Sequence, residues 1–126
     1  MYSHAMVGSN DIDRSKKFYD AMFGAMGGKP GRVDAKGRLL YMHNGGLFMV
    51  TRPIDGEAAT PGNGCTLGFT MDSPEMAEAW QKAGVEAGGT AIEDPPGVRD
   101  NGQIKLYLAY LRDPDGNKLC ALKSVA

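Results

Sequence analysis

Apolar residues along this chain fall into two regimes: short runs of strand length and longer stretches at helical spacing. Residues 3–9 (Ser-His-Ala-Met-Val-Gly-Ser) are short and mostly apolar and predict a buried strand. Asn10 and Asp11 then offer side chains that cap a helix. Its apolar positions Ile12, Phe18, Tyr19, Met22 and Phe23 share one face, with Asp13, Arg14, Lys16, Lys17 and Asp20 toward water. Gly24 and the pair Gly27-Gly28 end it. After a glycine-punctuated stretch, Arg38–His43 and Leu47–Thr51 read as two strands. They are joined by Asn44-Gly45-Gly46, whose residues tolerate the left-handed backbone a tight turn needs. Residues 53–63 are a loop on composition.

The order then repeats. Cys65–Met71 is a strand, and Ser73 caps a second helix with Pro74 in its first turn and Glu75 at the positive end of its dipole. Met76, Ala77, Trp80, Ala83 and Ala87 point inward before Gly88-Gly89. A loop holding Pro95-Pro96-Gly97 follows. Ile104–Arg112 and Lys118–Lys123 are strands around Asp113-Pro114-Asp115-Gly116, a turn in which Pro fixes one φ and Gly supplies a positive one. The halves run from about 1 to 60 and from 61 to 126. Laid together, they pair His4 with Thr66, Phe18 and Tyr19 with the region of Trp80, and the two turns with each other. The repeat lies in element order more than in identity. Neither half can bury both faces of a sheet alone, so the halves are expected to pair as one domain, 1–126.

Composition narrows the function classes. The chain has 126 residues, 42% hydrophobic and 23% charged, which suits a globular domain rather than a disordered or fibrous one. A net charge of −1 without a basic run argues against nucleic acid and anionic membranes as partners. The longest apolar stretches are a handful of residues, too short for a membrane span, and the N-terminus lacks signal-peptide features. Two cysteines, Cys65 and Cys120, make no disulfide scaffold, and strand alternation sends them to opposite faces. These readings predict a cytoplasmic, reduced protein. No Gly-rich phosphate loop, Ser-His-Asp set or CxxC pair is present.

Three segments carry a resemblance. The opening from His4 through Asp11 to Phe18-Tyr19 resembles the first strand and helix of the glyoxalase/bleomycin-resistance/extradiol dioxygenase (vicinal oxygen chelate) superfamily. Asn63–Phe69 is similar to the start of that superfamily's second module, and Tyr110–Cys120 to its last hairpin. Each motif alone is weak; the three in register cover nearly the whole chain. The resemblance implies an α+β fold of two βαβββ modules, whose paired, cupped, mixed sheets enclose a cavity. It also implies a homodimer that completes or covers that cavity.

Metal-using members hold a divalent ion on four inner-strand positions, where it polarises a substrate oxygen. By the resemblance those positions fall on His4, on Met49 or Val50, on Thr66 and on Cys120. Only His4 is a usual ligand. Thioether, isopropyl and hydroxyl groups do not make the roughly three strong ligands a catalytic ion needs. No metal and no cofactor is therefore expected. The implied pocket is lined by His4, Tyr41, Met49, Val50, Thr66, Tyr110 and Cys120. His4 and Tyr110 are the candidates for catalytic contact, since phosphonate-modifying relatives place a substrate-contacting tyrosine where Tyr110 stands. Arg99 and Lys105 flank the loop over the pocket mouth. His43, beside the turn, reads as a solvent-exposed strand end, and Cys120 as a small buried hydrophobe rather than a nucleophile. The expected function is binding of a small organic molecule between the sheets. The alternative is a metal-dependent lyase or isomerase of glyoxalase type with an atypical site.

Overall fold

The computed structural model describes residues 1–125. Two modules follow one another. The first runs β1 (Ala5–Gly8), α1 (Ile12–Ala25), β2 (Arg32–Val33), β3 (Leu39–His43) and β4 (Gly46–Thr51). The second runs β5 (Leu67–Thr70), α2 (Pro74–Glu86), β6 (Thr90–Ala91), β7 (Gly97–Asp100), β8 (Lys105–Arg112) and β9 (Lys118–Ser124). Each module makes its own mixed sheet. The first has the order β1-β4-β3-β2; the second has the order β5-β9-β8-β6, with β7 also on β8. In both, the first strand pairs parallel to the last, β1 with β4 and β5 with β9, and the other pairs are antiparallel.

The helix starts follow the caps. Asp11 accepts from the Arg14 N–H at 3.0 Å, and Ser73 from the Met76 N–H at 3.1 Å, each satisfying an orphan donor of its first turn. Asn44 (φ 47°) and Gly45 (φ 81°) both take the left-handed backbone that joins β3 to β4. Ordered strands are shorter than the apolar runs in two places: β1 begins at Ala5 and β5 at Leu67. His4 and Thr66 thus sit just ahead of their strands.

The second module differs from the expected three strands after its helix. Thr90 and Ala91 pair with Arg112 and Leu111, and Gly97–Asp100 pair with Leu108–Lys105. Both therefore lie along one side of β8, as a single strand interrupted by residues 92–96. Pro95 and Pro96 cannot donate to a ladder, and Glu93 adopts φ 59°, so the chain bulges there. The stretch read as a loop is thus half strand.

Both helices pack on one side of their sheets and against each other. A single core joins the modules: Phe18, Tyr19, Met22 and Phe23 of α1 and Trp80 of α2 meet Leu39, Tyr41, Phe48 and Val50 of the first sheet and Ala109, Leu111, Leu119 and Ala121 of the second. The Asp113–Gly116 turn reaches back to α1. Asp113 accepts from the Tyr19 hydroxyl at 2.6 Å and from its own turn, at the Asp115 and Asn117 N–H groups. Asp115 accepts from Arg14 at 2.8 Å and from the Asn10 N–H at 2.9 Å. Asn117 donates to the Gly8 carbonyl at 3.0 Å. No helix among the described residues is long and apolar enough to cross a membrane.

Candidate functional site

Strand alternation sorts the candidate residues by face. Ala5 and Val7 of β1 pack on the core, so His4 and Met6 lie on the opposite, helix-free side. Met6 pairs with Met49, and Leu40 with Met49, which puts Met49 on that side as well; it is buried there. In the second sheet Leu67 and Phe69 face the core and Thr66 and Gly68 the other way. Gly68 pairs with Cys120, and Cys120 with Tyr110. His4, Met49, Thr66, Tyr110 and Cys120 therefore share the helix-free side of their two sheets.

The other two do not. Val50 pairs with Leu39 and is fully buried in the core. Tyr41 is also on the core face; its hydroxyl donates to Asp20 at 2.8 Å and its ring stacks on Phe23 at 4.6 Å. Burial and the Asp20 carboxylate push that hydroxyl well above its ordinary value. The shared period of two explains both: Tyr41 and Val50 are one residue out of phase with Leu40 and Met49.

His4 and Thr66 come together in an open groove of about 600 Å³ between the starts of β1 and β5, walled mainly by Ala5, Met6, Leu47 and Leu67. Ser3 Oγ lies 2.7 Å from His4 Nδ1, which leaves Nε2 free for a ligand. Gly68 forms part of the groove's wall, and a Cβ placed on it would meet nothing within 4 Å. Neither Cys120 nor Tyr110 lines the groove; on the same face beyond Gly68 they follow in one cross-strand row.

That row forms a second cluster. Tyr110 and Cys120 are cross-strand neighbours, and the Cys120 thiol donates to the Ala121 carbonyl at 3.5 Å. Burial pushes the Cys120 thiol up, and the neighbouring Tyr110 hydroxyl only partly opposes it. A protonated thiol is a poor nucleophile. Burial and the neighbouring Cys120 likewise push the Tyr110 hydroxyl up. Lys118 lies 4.9 Å over the Tyr110 ring and is ion-paired with Glu93 of the bulge. Neither Lys118 nor Glu93 stands out in the sequence; the one local signal is Pro95-Pro96 inside a strand. Arg99 does not reach a pocket mouth, because its guanidinium donates to the carbonyls of Asp94, Pro95 and Gly97 and pins the bulge. Lys105 lies 4.0 Å from Asp100 on an exposed strand end. Cys65 and Cys120 are both free, the first exposed and the second buried.

His43 is not a solvent-facing strand end. It is half-buried, 6.2 Å from the Phe23 ring, and lines a small cavity with Tyr41. A divalent metal does not fit the donor set. Of the degenerate positions, His4 and Thr66 share the groove, whereas Cys120 is buried beside Tyr110. Among the described residues no three His, Cys, Asp or Glu side chains gather closely enough to hold an ion.

The chain matches no curated protein. Among solved structures it is similar to a glyoxalase/bleomycin resistance protein from Albidiferax ferrireducens T118, at 56% identity over 97% of this chain and 98% of that one, with a TM-score of 0.92. It shares its fold with a glyoxalase/bleomycin resistance protein/dioxygenase family enzyme from Burkholderia phytofirmans PsJN, at 18% identity, 98% of both chains and a TM-score of 0.73. The fosfomycin resistance protein FosX from Mesorhizobium loti has the same fold at 13% identity, 99% of this chain, 92% of that chain and a TM-score of 0.67. The model of the Glyoxalase/Bleomycin resistance protein/Dioxygenase superfamily matches residues 2–121, and with both modules in its order the chain belongs to that superfamily.

Proposed function

We propose that this protein binds a small organic molecule on the helix-free side of its sheets, in the groove that holds His4 and Thr66, without a resident catalytic metal. The observation that carries this reading is the groove itself. It falls within the size range of small-molecule sites, roughly 300–1,000 Å³, and it combines mostly apolar walls with a few polar groups. His4 Nε2 and the Thr66 hydroxyl orient the ligand, and the open space over Gly68 lets it extend toward Tyr110. His4 and Tyr110 act as hydrogen-bonding groups, not as metal-linked acids or bases. Cys120, held as a thiol, is a wall.

A homodimer belongs to this reading. Met42 is 71% exposed and Met6 39% exposed on the helix-free side of the first sheet, surface that a second copy would cover. The two free thiols agree with a cytoplasmic location.

The test has two arms. Metal analysis of protein purified without chelator and then dialysed should find well under one equivalent per chain. One equivalent of zinc, nickel or manganese, lost on His4→Ala, would overturn the reading in favour of a glyoxalase-type lyase or isomerase. A thermal-shift screen of small organic molecules should then give hits whose stabilisation is lost in His4→Ala and in Gly68→Val. Hits indifferent to both variants would place the ligand elsewhere. Light scattering at micromolar concentration should give about twice the chain mass.

A further inference from the structure

Four aromatic rings gather where the two modules meet. Phe23 of α1 and Tyr41 of β3 stack at 4.6 Å, and Phe48 of β4 stands 5.8 Å from Phe23. Phe69 of β5 comes from the other module and meets Phe23 and Phe48 edge to face, each at 5.6 Å. The four rings pack on one another and form one wall of an open pocket. This cavity, of about 160 Å³, is lined also by Ala5, Leu67 and His43.

We propose that this cavity is a binding site for a single aromatic ring carrying a hydrogen-bonding substituent, a ligand of the phenol class. Size is the first argument. About 150 Å³ is enough to take a benzene ring, and the pocket's open side gives a ring a way in. The second argument is the wall. Ring faces and edges are both presented, and a guest ring can meet them offset-stacked and edge-on, which a saturated ring cannot.

The third argument is polar bookkeeping. The Tyr41 hydroxyl is already committed to Asp20. The His43 imidazole lines the cavity and makes no hydrogen bond among the described residues. It can take the substituent of the guest. The site shares Ala5, Gly46, Leu47, Leu67 and Gly68 with the groove and is set apart from it by its aromatic rings and His43. Phe23, Tyr41, His43, Phe48 and Phe69 line this cavity and not the groove, whereas His4 and Thr66 line the groove and not this cavity.

Titration calorimetry with phenol, benzene and cyclohexanol tests it on the intact chain. Phenol binds saturably, benzene binds more weakly, and cyclohexanol is at least tenfold weaker than phenol. His43→Ala weakens phenol roughly three- to tenfold, to the level of benzene, the worth of one hydrogen bond. Ala5→Leu fills the cavity and abolishes binding; Leu67→Phe does the same by a second route should the first variant fold poorly. His4→Ala leaves phenol binding intact, which separates this site from the groove. The proposal is overturned by any of four results. These are no saturable phenol binding, cyclohexanol as tight as phenol, binding that survives both filling variants, or a loss in His4→Ala as large as in His43→Ala.

Discussion

Replacing Tyr19 with Phe removes one oxygen from a fully buried side chain and keeps its ring. The hydroxyl donates to Asp113 at 2.6 Å, and Asp113 is itself only 4% exposed. Burial, followed by the Asp113 carboxylate, pushes the Tyr19 hydroxyl well above its ordinary value, so it is a donor at every working pH. Without it, Asp113 keeps its donors from Asp115 N–H, Asn117 N–H and the Asn117 amide, all within its own turn. What is lost is one of the bonds that tie the last hairpin to the first helix; the Arg14–Asp115 ion pair remains. A hydrogen bond to a charged group contributes about 1.5–3 kcal/mol. For 126 residues the unfolding entropy is about 0.26 kcal/mol per kelvin, so Tm falls by about 6–11 °C. Tyr107→Phe is the matched control. It also loses a 2.6 Å hydrogen bond to a carboxylate, from Glu78, but at a far more exposed position, and should cost about 1 kcal/mol or less. Urea midpoints for both variants decide between burial and chemistry as the source of the effect. Equal losses, or a Tyr19→Phe loss below about 0.5 kcal/mol, would refute the argument.

Three further outcomes follow from other contacts. The Cys120 thiol is buried and pushed up, so iodoacetamide at pH 7.5 should label exposed Cys65 and leave Cys120 intact in the native protein; mass spectrometry showing both labelled at one rate would contradict this. Burial pushes the Asp20 carboxyl up, but hydrogen bonds from the Gly31 N–H, Lys16 and Tyr41 outweigh it and hold the group below its ordinary 3.8. Its stabilisation is therefore present above that value and lost as pH falls through the lower native one, so the Tm deficit of Asp20→Asn at pH 7 should shrink below about pH 4. A pH-independent deficit would count against it. Gly89→Ala would set a Cβ 2.9 Å from the Arg112 carbonyl oxygen and 3.0 Å from that of Gly84, backbone atoms that cannot yield. Overpacking of this kind costs about 1–3 kcal/mol, and an unchanged Tm would contradict it.

Much of the fold is local chemistry and was legible as such. Asp11 and Ser73 cap the helices because an Asx or Ser side chain reaches the third N–H from within its own segment. Asn44-Gly45 turns because those residues accept positive φ. The resemblance put His4, Met49, Thr66, Tyr110 and Cys120 at inner-strand positions; a period of two relates residues only within one strand, and the pairing register is what sets the five on the same side. The same rule, with the register known, removes Tyr41 and Val50 to the core.

What tertiary structure decided is whatever depends on two distant segments. β2 and β6 are two residues long, too short to carry a period, and exist because β3 and β8 offer them an edge. Asp20 has a water-facing helix position by spacing, yet it holds Gly31 and Tyr41 from two other segments. Glu93 meets Lys118 only across a bulge, and Tyr19 meets Asp113 across 94 positions of chain. The cavity lined by Phe23, Tyr41, Phe48 and Phe69 has no motif at all. Each ring is an ordinary core residue in its own element, and the pocket they wall arises only when the second module brings Phe69 against the first.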